Sequence, residues 1–216
     1  MRLYSFHGSS ASFRARIALA LKGIEVEYVA VNLRAKEQRA ADYLRLNPQG
    51  KVPLLVDGEV AIAQTVAIVE YLEEVVPEPR LLPRDVAGRA RVRSLSLHLA
   101  CEVQPLNNSA VEGYLAKAMG AGEEQLVAWR RHWITRGFDA VDEMLRRKET
   151  GRFCHGDEPG MADCFLVPQV FKALQPTVGL DVGRWPCIER VHRACMERPE
   201  FVAALPERQP DYIAGA

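Results

Sequence analysis

Residues 3–23 read LYSFHGSSASFRARIALALKG, a pattern that places a serine-rich turn between a short apolar strand and a helix. Residues 3–6 are typical of a strand, residues 16–22 of a helix, and Gly23 of the position that follows a helix C-terminus. The first amides of a helix lack intrahelical acceptors, and the helix dipole adds roughly half a positive charge there. Residues 9–14 therefore predict a site for a small anion such as a thiolate, a phosphate or a carboxylate. The alternative is an ordinary helix cap, for which serine is a favoured residue.

The segments that follow continue the alternation of strand and helix. The predicted elements are a strand at residues 26–31, a short polar helix or turn at 36–46, a β-hairpin at 53–63 and a helix at 65–76. The first two strands with their connecting helix make a β-α-β unit, which implies parallel pairing. Asp57 and Gly58 form a strong turn signal for the hairpin. This order of elements predicts a thioredoxin-like α/β domain at residues 1–79.

A proline-rich segment separates this domain from a purely helical pattern. Residues 77–83 (PEPRLLP) predict a linker, and no convincing strand follows them. The predicted helices lie at residues 85–102, 123–147, 161–173 and 186–198. Their apolar residues recur at helical spacing, which is typical of helices packed on a core. The sequence therefore predicts a thioredoxin-like domain followed by an all-α helical domain at residues 85–216.

The composition excludes several classes of function. Lysine plus arginine and aspartate plus glutamate number 28 each among 216 residues, so no bulk basic field favours nucleic acid. No long apolar run or signal peptide is recognisable, so we expect a cytoplasmic protein without membrane association. The five cysteines are odd in number and lack Cys-x-x-Cys spacing, and the histidines are scattered. We therefore expect neither a disulfide framework nor a metal site.

The first helix start lacks the residues that perform thiol redox chemistry. A thioredoxin-like domain usually carries Cys-x-x-Cys there, because the helix dipole lowers the thiol pKa. Here the positions are Ser9 and Ser12, and serine cannot exchange disulfides. The anion site nevertheless remains, so we infer that a ligand brings the thiolate. Glutathione is the abundant candidate.

Two further segments fit a peptide-like ligand. A cis Val52-Pro53 bond would leave the backbone of Val52 free to pair with an extended peptide, although a trans turn is the commoner alternative. Gln64-Thr65 lies at another helix start, where the Thr65 hydroxyl and free amides could receive a carboxylate. Simple capping is the alternative at this second position as well.

The sequence as a whole resembles the zeta class of the glutathione transferases, which comprises maleylacetoacetate and maleylpyruvate isomerases. The resemblance runs nearly end to end. The segments that carry it are residues 9–19 (SSASFRARIAL), 46–48 (LNP), 52–53 (VP), 64–65 (QT), 71–74 (YLEE), 81–83 (LLP), 104–108 (QPLNN), 161–163 (MAD), 166–170 (LVPQV) and 208–211 (RQPD). The family's fold is a dimer with the active site in a cleft between its two domains. The resemblance therefore implies a homodimer that uses glutathione as its cofactor.

The resemblance also implies roles for individual residues. The catalytic candidates are Ser9, which would activate the glutathione sulfur, and its neighbours Ser10 and Ser12. The implied glutathione-binding set adds Ala11, Phe13, Arg14, Gln38, Val52, Pro53, Gln64 and Thr65, with Gln104 and Asn108 from the helical domain. In the family's reaction, glutathione adds to a cis double bond, the bond rotates, and elimination gives the trans isomer. The implied context is the breakdown of tyrosine and other aromatic compounds.

The chain departs from the family pattern at positions that bear on the chemistry. Ala11 stands where the family has a cysteine, and Gly8 and Gln175 stand where isomerases of this type carry arginines for the substrate's carboxylates. Losing both arginines would weaken a site for a dianion. The candidate substrate-contacting residues that remain are His7, Arg14, Lys172 and Gln175. Two alternatives therefore stay open beside the isomerase, a glutathione transferase or dehalogenase acting on electrophiles such as α-haloacids, and a non-catalytic glutathione-binding protein.

Overall fold

A computed structural model describes residues 1–213 and contains one four-stranded mixed sheet. The strands are β1 (Arg2–Ser5), β2 (Glu27–Ala30), β3 (Leu54–Asp57) and β4 (Val60–Ala63), and they lie in the order β2-β1-β3-β4. β1 pairs in parallel with β2 and antiparallel with β3, and β3 forms an antiparallel hairpin with β4. The predicted thioredoxin-like arrangement is confirmed.

Three helices accompany this sheet. They are α1 (Ser10–Leu21), α2 (Ala41–Leu46) and α3 (Thr65–Val75), with a 3₁₀ turn at Glu37–Arg39 before α2. α1 packs against α3, and the fully buried core residues include Phe13, Ile17, Leu54, Leu55, Ile68 and Leu72. α1 begins six residues before the predicted start at residue 16, since Ser9 caps it at Ser10. The small residues of the serine-rich turn thus form its first turn.

A buried ion pair ties α1 to α3. The Lys22 side chain is fully enclosed, and its Nζ lies 2.5 Å from Oε2 of Glu73. Lys22 Nζ also donates to the Val76 carbonyl at 2.7 Å, while Glu73 Oε2 accepts from the Leu81 amide at 2.8 Å. These bonds give the enclosed charge partners on the adjoining helix, as a buried ion requires.

The remaining helices lie farther along the chain. They are α4 (Val86–Leu97), α5 (Ser109–Met119), α6 (Glu123–Leu145), α7 (Met161–Leu174), α8 (Pro186–Met196) and α9 (Pro199–Ala203). The predicted continuous helix at 85–102 is wrong at its C-terminal end, because a π-helical turn occupies His98–Val103 after α4. A 3₁₀ turn, Gln104–Asn107, then leads to α5, which was not predicted. No strand lies between residues 82 and 213.

Contacts divide the chain into two compact units. One contains Met1–Leu81 together with the chain from Met196 onward, and the other is Leu82–Cys195. The predicted helical domain at 85–216 differs from the second unit, since α9 packs against α1 of the first unit. Phe201 on α9 is fully buried, which gives this return of the chain an aromatic anchor.

Through Ile213, no helix combines the length and the apolarity needed to cross a membrane. Over the same range no three histidine, cysteine or acidic side chains cluster as metal ligands. The five cysteines are free thiols.

Candidate active site

Ser9 forms the junction between β1 and α1. Its Oγ accepts a hydrogen bond from the Ser12 amide at 3.2 Å, and its own amide donates to the Phe6 carbonyl at 3.0 Å. Ser9 is thus a true N-cap. The amides of Ser10 and Ala11 have no acceptor among residues 1–213 and lie at a partly exposed surface. Ser9 therefore caps the helix while two open amides, a group suited to an anion, remain at the same helix start.

The structure separates the residues of the serine-rich turn into two groups. Ser9, Ser10 and Ala11 are partly exposed, whereas Ser12, Phe13 and Arg14 are buried. The Ser12 Oγ is enclosed by protein and accepts from the Phe6 amide at 3.5 Å. The three buried side chains face the interior, so of the predicted glutathione-binding run only Ser9, Ser10 and Ala11 are partly exposed.

A second candidate segment lies at the entrance to β3. The Val52-Pro53 bond is cis, which is the alternative that the sequence could not decide. The side chain of Val52 packs on Tyr43 and Val31, and the Lys51 carbonyl before it accepts from Tyr43 Oη at 2.6 Å. In the part of the chain described, the backbone N–H and C=O of Val52 have no hydrogen-bond partner. This backbone is therefore rigidly placed and open to an extended ligand.

The third segment is the start of α3. Gln64 precedes it with a φ of 74°, a conformation that costs a non-glycine residue about 1–3 kcal/mol and is found mainly at functional sites. Gln64 Nε2 donates to Oε1 of Gln49 at 2.6 Å, and Thr65 is buried as the first residue of the helix. Residues 1–213 provide no acceptor for the amides of Thr65 and Val66. The start of α3 therefore carries a second pair of backbone amides without hydrogen-bond acceptors in the described chain.

The sheet register brings these three segments to one end of the sheet. Tyr4 near the end of β1 pairs with Leu54 at the start of β3, and Leu54 in turn pairs with Ala63 at the end of β4. The turn at Ser9, the cis bond before β3 and the start of α3 therefore leave the sheet at the same edge. Two helix starts and one free backbone segment together can hold a ligand with two anionic groups and a peptide bond.

Gln38 provides an unsatisfied acceptor in the same unit. It lies in the 3₁₀ turn before α2, and its Nε2 makes only a long hydrogen bond, 3.5 Å, to the Leu33 carbonyl. Its buried Oε1 has no partner within the described chain. A buried acceptor is costly when left unpaired, so this oxygen suits a ligand N–H group.

The two predicted ligand residues of the helical region have local roles. Gln104 opens the 3₁₀ turn before α5 and is partly exposed. Asn108 is the N-cap of α5, with Oδ1 accepting from the Ala110 amide at 2.9 Å and from the Val111 amide at 3.1 Å. Its Nδ2 donates to the Pro105 carbonyl at 2.7 Å. Both polar atoms of the Asn108 side chain thus already have partners, and its Oδ1 caps α5.

His7 and Arg14 do not offer an accessible cation to a substrate. Burial is the main cause that lowers the pKa of His7, and Asp211 opposes it only in part, so the environment disfavours the charged ring. The ring packs against Phe6 and Tyr212 at centroid distances of 4.5 and 5.4 Å. Arg14 is only 2% exposed. Both predicted substrate roles are therefore disfavoured by burial.

Lys172 and Gln175 lie at the end of α7. Burial lowers the pKa of Lys172, and the neighbouring Glu112 partly opposes the shift. Gln175 is the C-cap residue, whose carbonyl accepts from the Val178 and Gly179 amides at 2.8 and 2.7 Å. Lys172 is therefore the partly exposed cation among the four candidates, while Gln175 is a neutral amide.

A hydrogen-bond network that the sequence did not predict supports the turn before Ser9. Asp211 Oδ2 accepts from the His7 amide at 2.9 Å, and its Oδ1 accepts from Tyr28 Oη at 2.6 Å. The buried Arg16 guanidinium donates to the carbonyls of His7 and Ala204 at 3.2 and 3.0 Å. Burial lowers the pKa of Arg16 to about 10 and raises that of Tyr28, whose hydrogen bond to Asp211 adds to the shift. The RQPD motif that contains Asp211 was visible, but its contact spans 204 positions.

The chain is similar to known proteins over its whole length. Residues 1–74 match the family model described as glutathione S-transferase, N-terminal domain. A maleylpyruvate isomerase of Ralstonia sp. is 44% identical over 98% of this chain and 99% of its own. The maleylacetoacetate isomerase of Pseudomonas aeruginosa is 42% identical over 98% of both chains.

Solved structures that are similar to this chain include isomerases of the same two kinds. A holo structure of a maleylpyruvate isomerase, described as a bacterial zeta-class glutathione transferase, superposes with a TM-score of 0.95 at 43% identity and covers 99% of this chain and 100% of its own. A maleylacetoacetate isomerase from Anaeromyxobacter dehalogenans with glutathione bound in its active site gives 0.86 at 43% identity, covering 97% and 96%. The chain therefore belongs to the zeta class of the glutathione transferases, the family of the maleylacetoacetate and maleylpyruvate isomerases.

Proposed function

We propose that this protein is a glutathione-dependent cis–trans isomerase of maleylacetoacetate or maleylpyruvate. The observation that carries the proposal is the pair of open amides at Ser10 and Ala11 beside the Ser9 hydroxyl. They adjoin a free peptide-like backbone and a second open helix start at the same sheet edge. Relatives with 40–44% identity over nearly the whole chain are named as these isomerases.

The residues present fit glutathione. Bound glutathione supplies a thiolate that adds reversibly to the conjugated cis double bond and leaves again after rotation, so it is not consumed. The Ser9 hydroxyl and the amides of Ser10 and Ala11 stabilise the sulfur as an anion. The backbone of Val52 pairs with the cysteinyl residue of glutathione. The cis bond to Pro53 follows it and leads into β3. Thr65 and the neighbouring amides receive a carboxylate.

The other ligand contacts are proposed from the same positions. The unsatisfied Oε1 of Gln38 accepts an N–H group of glutathione, and Gln64 is placed at the edge of α3 by its positive φ. Gln104 and Asn108 remain proposed glutathione-binding residues on the family resemblance, and Asn108 also caps α5. Lys172 is the proposed cation for a substrate carboxylate, because burial lowers the pKa of His7 and Arg14 is itself buried.

We further propose a cytoplasmic homodimer that acts in the breakdown of tyrosine and related aromatic compounds. The support is the family membership and the pathway substrates named for the relatives. Sedimentation of the purified chain would check the dimer.

The isomerase proposal is tested with maleylacetone as substrate. With glutathione present, the purified protein should convert it to the trans isomer while the concentration of free thiol stays constant. Without glutathione, turnover should be zero. Stoichiometric loss of thiol, or isomerisation that needs no glutathione, would contradict the proposal.

A glutathione transferase or dehalogenase is the second candidate, and one observation favours it. Gly8 and Gln175 provide no cation, so a substrate with one carboxylate, such as an α-haloacid, is less penalised than a dicarboxylate. Halide release from α-haloacids, measured in parallel with isomerisation, separates the two activities. Glutathione binding with neither activity would instead favour the hypothesis of a non-catalytic glutathione-binding protein.

A further inference from the structure

We propose that Asp211 is a positioning residue that fixes the segment leading into Ser9 and thereby the thiolate site. The inference rests on the proposed function for the identity of the reaction, but its geometry stands on the contacts of the first unit alone. Its starting point is a carboxylate that reaches the loop from a segment distant in sequence. Asp211 Oδ2 accepts the His7 amide at 2.9 Å.

The loop is held from both sides. Arg16 donates from its guanidinium to the carbonyls of Phe6 and His7 at 3.4 and 3.2 Å. The Asp211 carboxylate accepts a hydrogen bond from the amide of the same residue, His7. The Phe6 and His7 carbonyls thus bond to the cationic Arg16, and the His7 amide bonds to the anionic Asp211. Hydrogen bonds to charged partners are stronger than those between neutral groups.

The position of Ser9 follows from that of the loop. The Ser9 amide donates to the Phe6 carbonyl at 3.0 Å, and the Ser12 Oγ accepts from the Phe6 amide at 3.5 Å. A shift of Phe6 or His7 therefore moves the cap, and with it the open amides that follow. Misplacement of a reacting group by as little as about 1 Å can cost up to about 100-fold in rate.

The carboxylate and the chain that carries it are themselves held by contacts in the same unit. Tyr28 Oη on β2 donates to Asp211 Oδ1 at 2.6 Å, so both carboxylate oxygens are used. The chain that carries Asp211 is fixed upstream, where Arg16 Nε donates to the Ala204 carbonyl at 3.0 Å. The ring of Tyr212, next in sequence, packs edge-on against His7. The carboxylate is therefore placed by β2 and α1, not by a free tail.

The variant that tests the proposal is Asp211→Asn, which keeps the size of the side chain and removes its charge. With saturating substrate we expect kcat to fall about tenfold, because the loop loses its charged anchor. The KM for glutathione should change less than about threefold, since most of the ligand is held elsewhere. The pKa of the thiol in bound glutathione should rise, because the displaced amides of Ser10 and Ala11 stabilise the thiolate less, whereas loss of the negative charge alone would lower it.

Two control variants separate positioning from general stability. Tyr28→Phe removes the other hydrogen bond of Asp211 but leaves the contact with His7, so its kcat should fall by no more than about threefold. Glu207→Gln alters an exposed residue of the same segment and should leave kcat unchanged. Thermal unfolding of each variant reports its stability. A kcat of Asp211→Asn within about threefold of the wild-type value, or a loss that Glu207→Gln matches, would overturn the proposal.

The two proposals fail in distinguishable ways. If the wild-type protein binds glutathione but does not isomerise maleylacetone, the proposed function fails, while ultraviolet titration of the bound thiolate still tests the role of Asp211. An unchanged thiol pKa in Asp211→Asn overturns the positioning role whatever the substrate. Should Asp211→Asn fail to fold, Asp211→Glu moves the carboxylate by one methylene and should show the same shift in smaller measure; no shift would overturn the role.

Discussion

The hydroxyl of Ser9 contributes to two measurable quantities, and they can be separated. As an N-cap it accepts the Ser12 amide at 3.2 Å. Replacing a capping serine by alanine costs about 0.5–2 kcal/mol of stability, whereas replacing it by glycine costs only a few tenths. As a donor to a thiolate, the same hydroxyl is worth about 1.5–3 kcal/mol, the range for hydrogen bonds to charged groups.

Ser9→Ala and Ser9→Gly should therefore differ in stability but agree in activity. We expect Ser9→Ala to lose about 1 kcal/mol more in the free energy of unfolding than Ser9→Gly. Both should lose about tenfold to hundredfold in kcat with glutathione, since about 1.4 kcal/mol corresponds to a factor of ten. The assays are urea unfolding and isomerisation of maleylacetone at saturating glutathione.

A matched control comes from another helix cap. Asp85 caps α4 by accepting the Gly88 amide at 2.7 Å. Asp85→Ala should lose about 1 kcal/mol of stability, as for a typical cap, and keep its activity. If both Ser9 variants keep kcat, the hydroxyl is a cap alone and the thiolate role is refuted. If the activity loss follows stability, so that Ser9→Gly is nearly active, the same conclusion holds.

Three further outcomes are expected. Lys22→Met leaves the Glu73 charge in a largely buried place without its partner and should cost about 3–5 kcal/mol in denaturant unfolding; a loss below about 1 kcal/mol would show that the pair contributes little. Gly8→Arg supplies a guanidinium next to the Ser9 site and should lower the KM for a maleyl acid, measured beside a neutral electrophile whose KM should not fall. Burial lowers the pKa of His7 and of His192 in the folded protein. As the pH drops through their ordinary value of 6.5, the unfolded chain therefore binds more protons than the folded chain, and the free energy of unfolding should fall. Replacing His192 by glutamine should flatten this dependence in unfolding curves, and an unchanged slope would contradict the assignment.

The sheet and its two flanking helices were predictable from the sequence because local signals agree there. Apolar runs, the Asp57-Gly58 turn and the Ser9 cap each mark an element that the structure contains. Helix α5 was missed because none of its residues is buried, so it has no strong apolar stripe to detect. Its only signals were the Asn108 cap and Gly120, which has a positive φ of 70° just after the helix.

The site was predictable where function depends on the backbone. Helix starts and an X-Pro bond are visible in sequence, so Ser9, Val52 and Thr65 were found as candidates. The orientation of side chains around α1 was not visible, since its small and apolar residues give no clear amphipathic stripe, and Ser12 and Arg14 proved to be buried. The Asp211 contact was beyond reach because no local pattern connects residues so far apart in the chain.

The return of the chain to the first strand and helix has a consequence for synthesis. A domain at the start of a chain commonly folds while the ribosome still makes the rest. Here the turn at His7 obtains its carboxylate partner only when residue 211 has emerged, and α1 obtains its contacts with α9 only shortly before. The turn before Ser9 therefore gains its full set of partners only after the residues of the second unit have been synthesised.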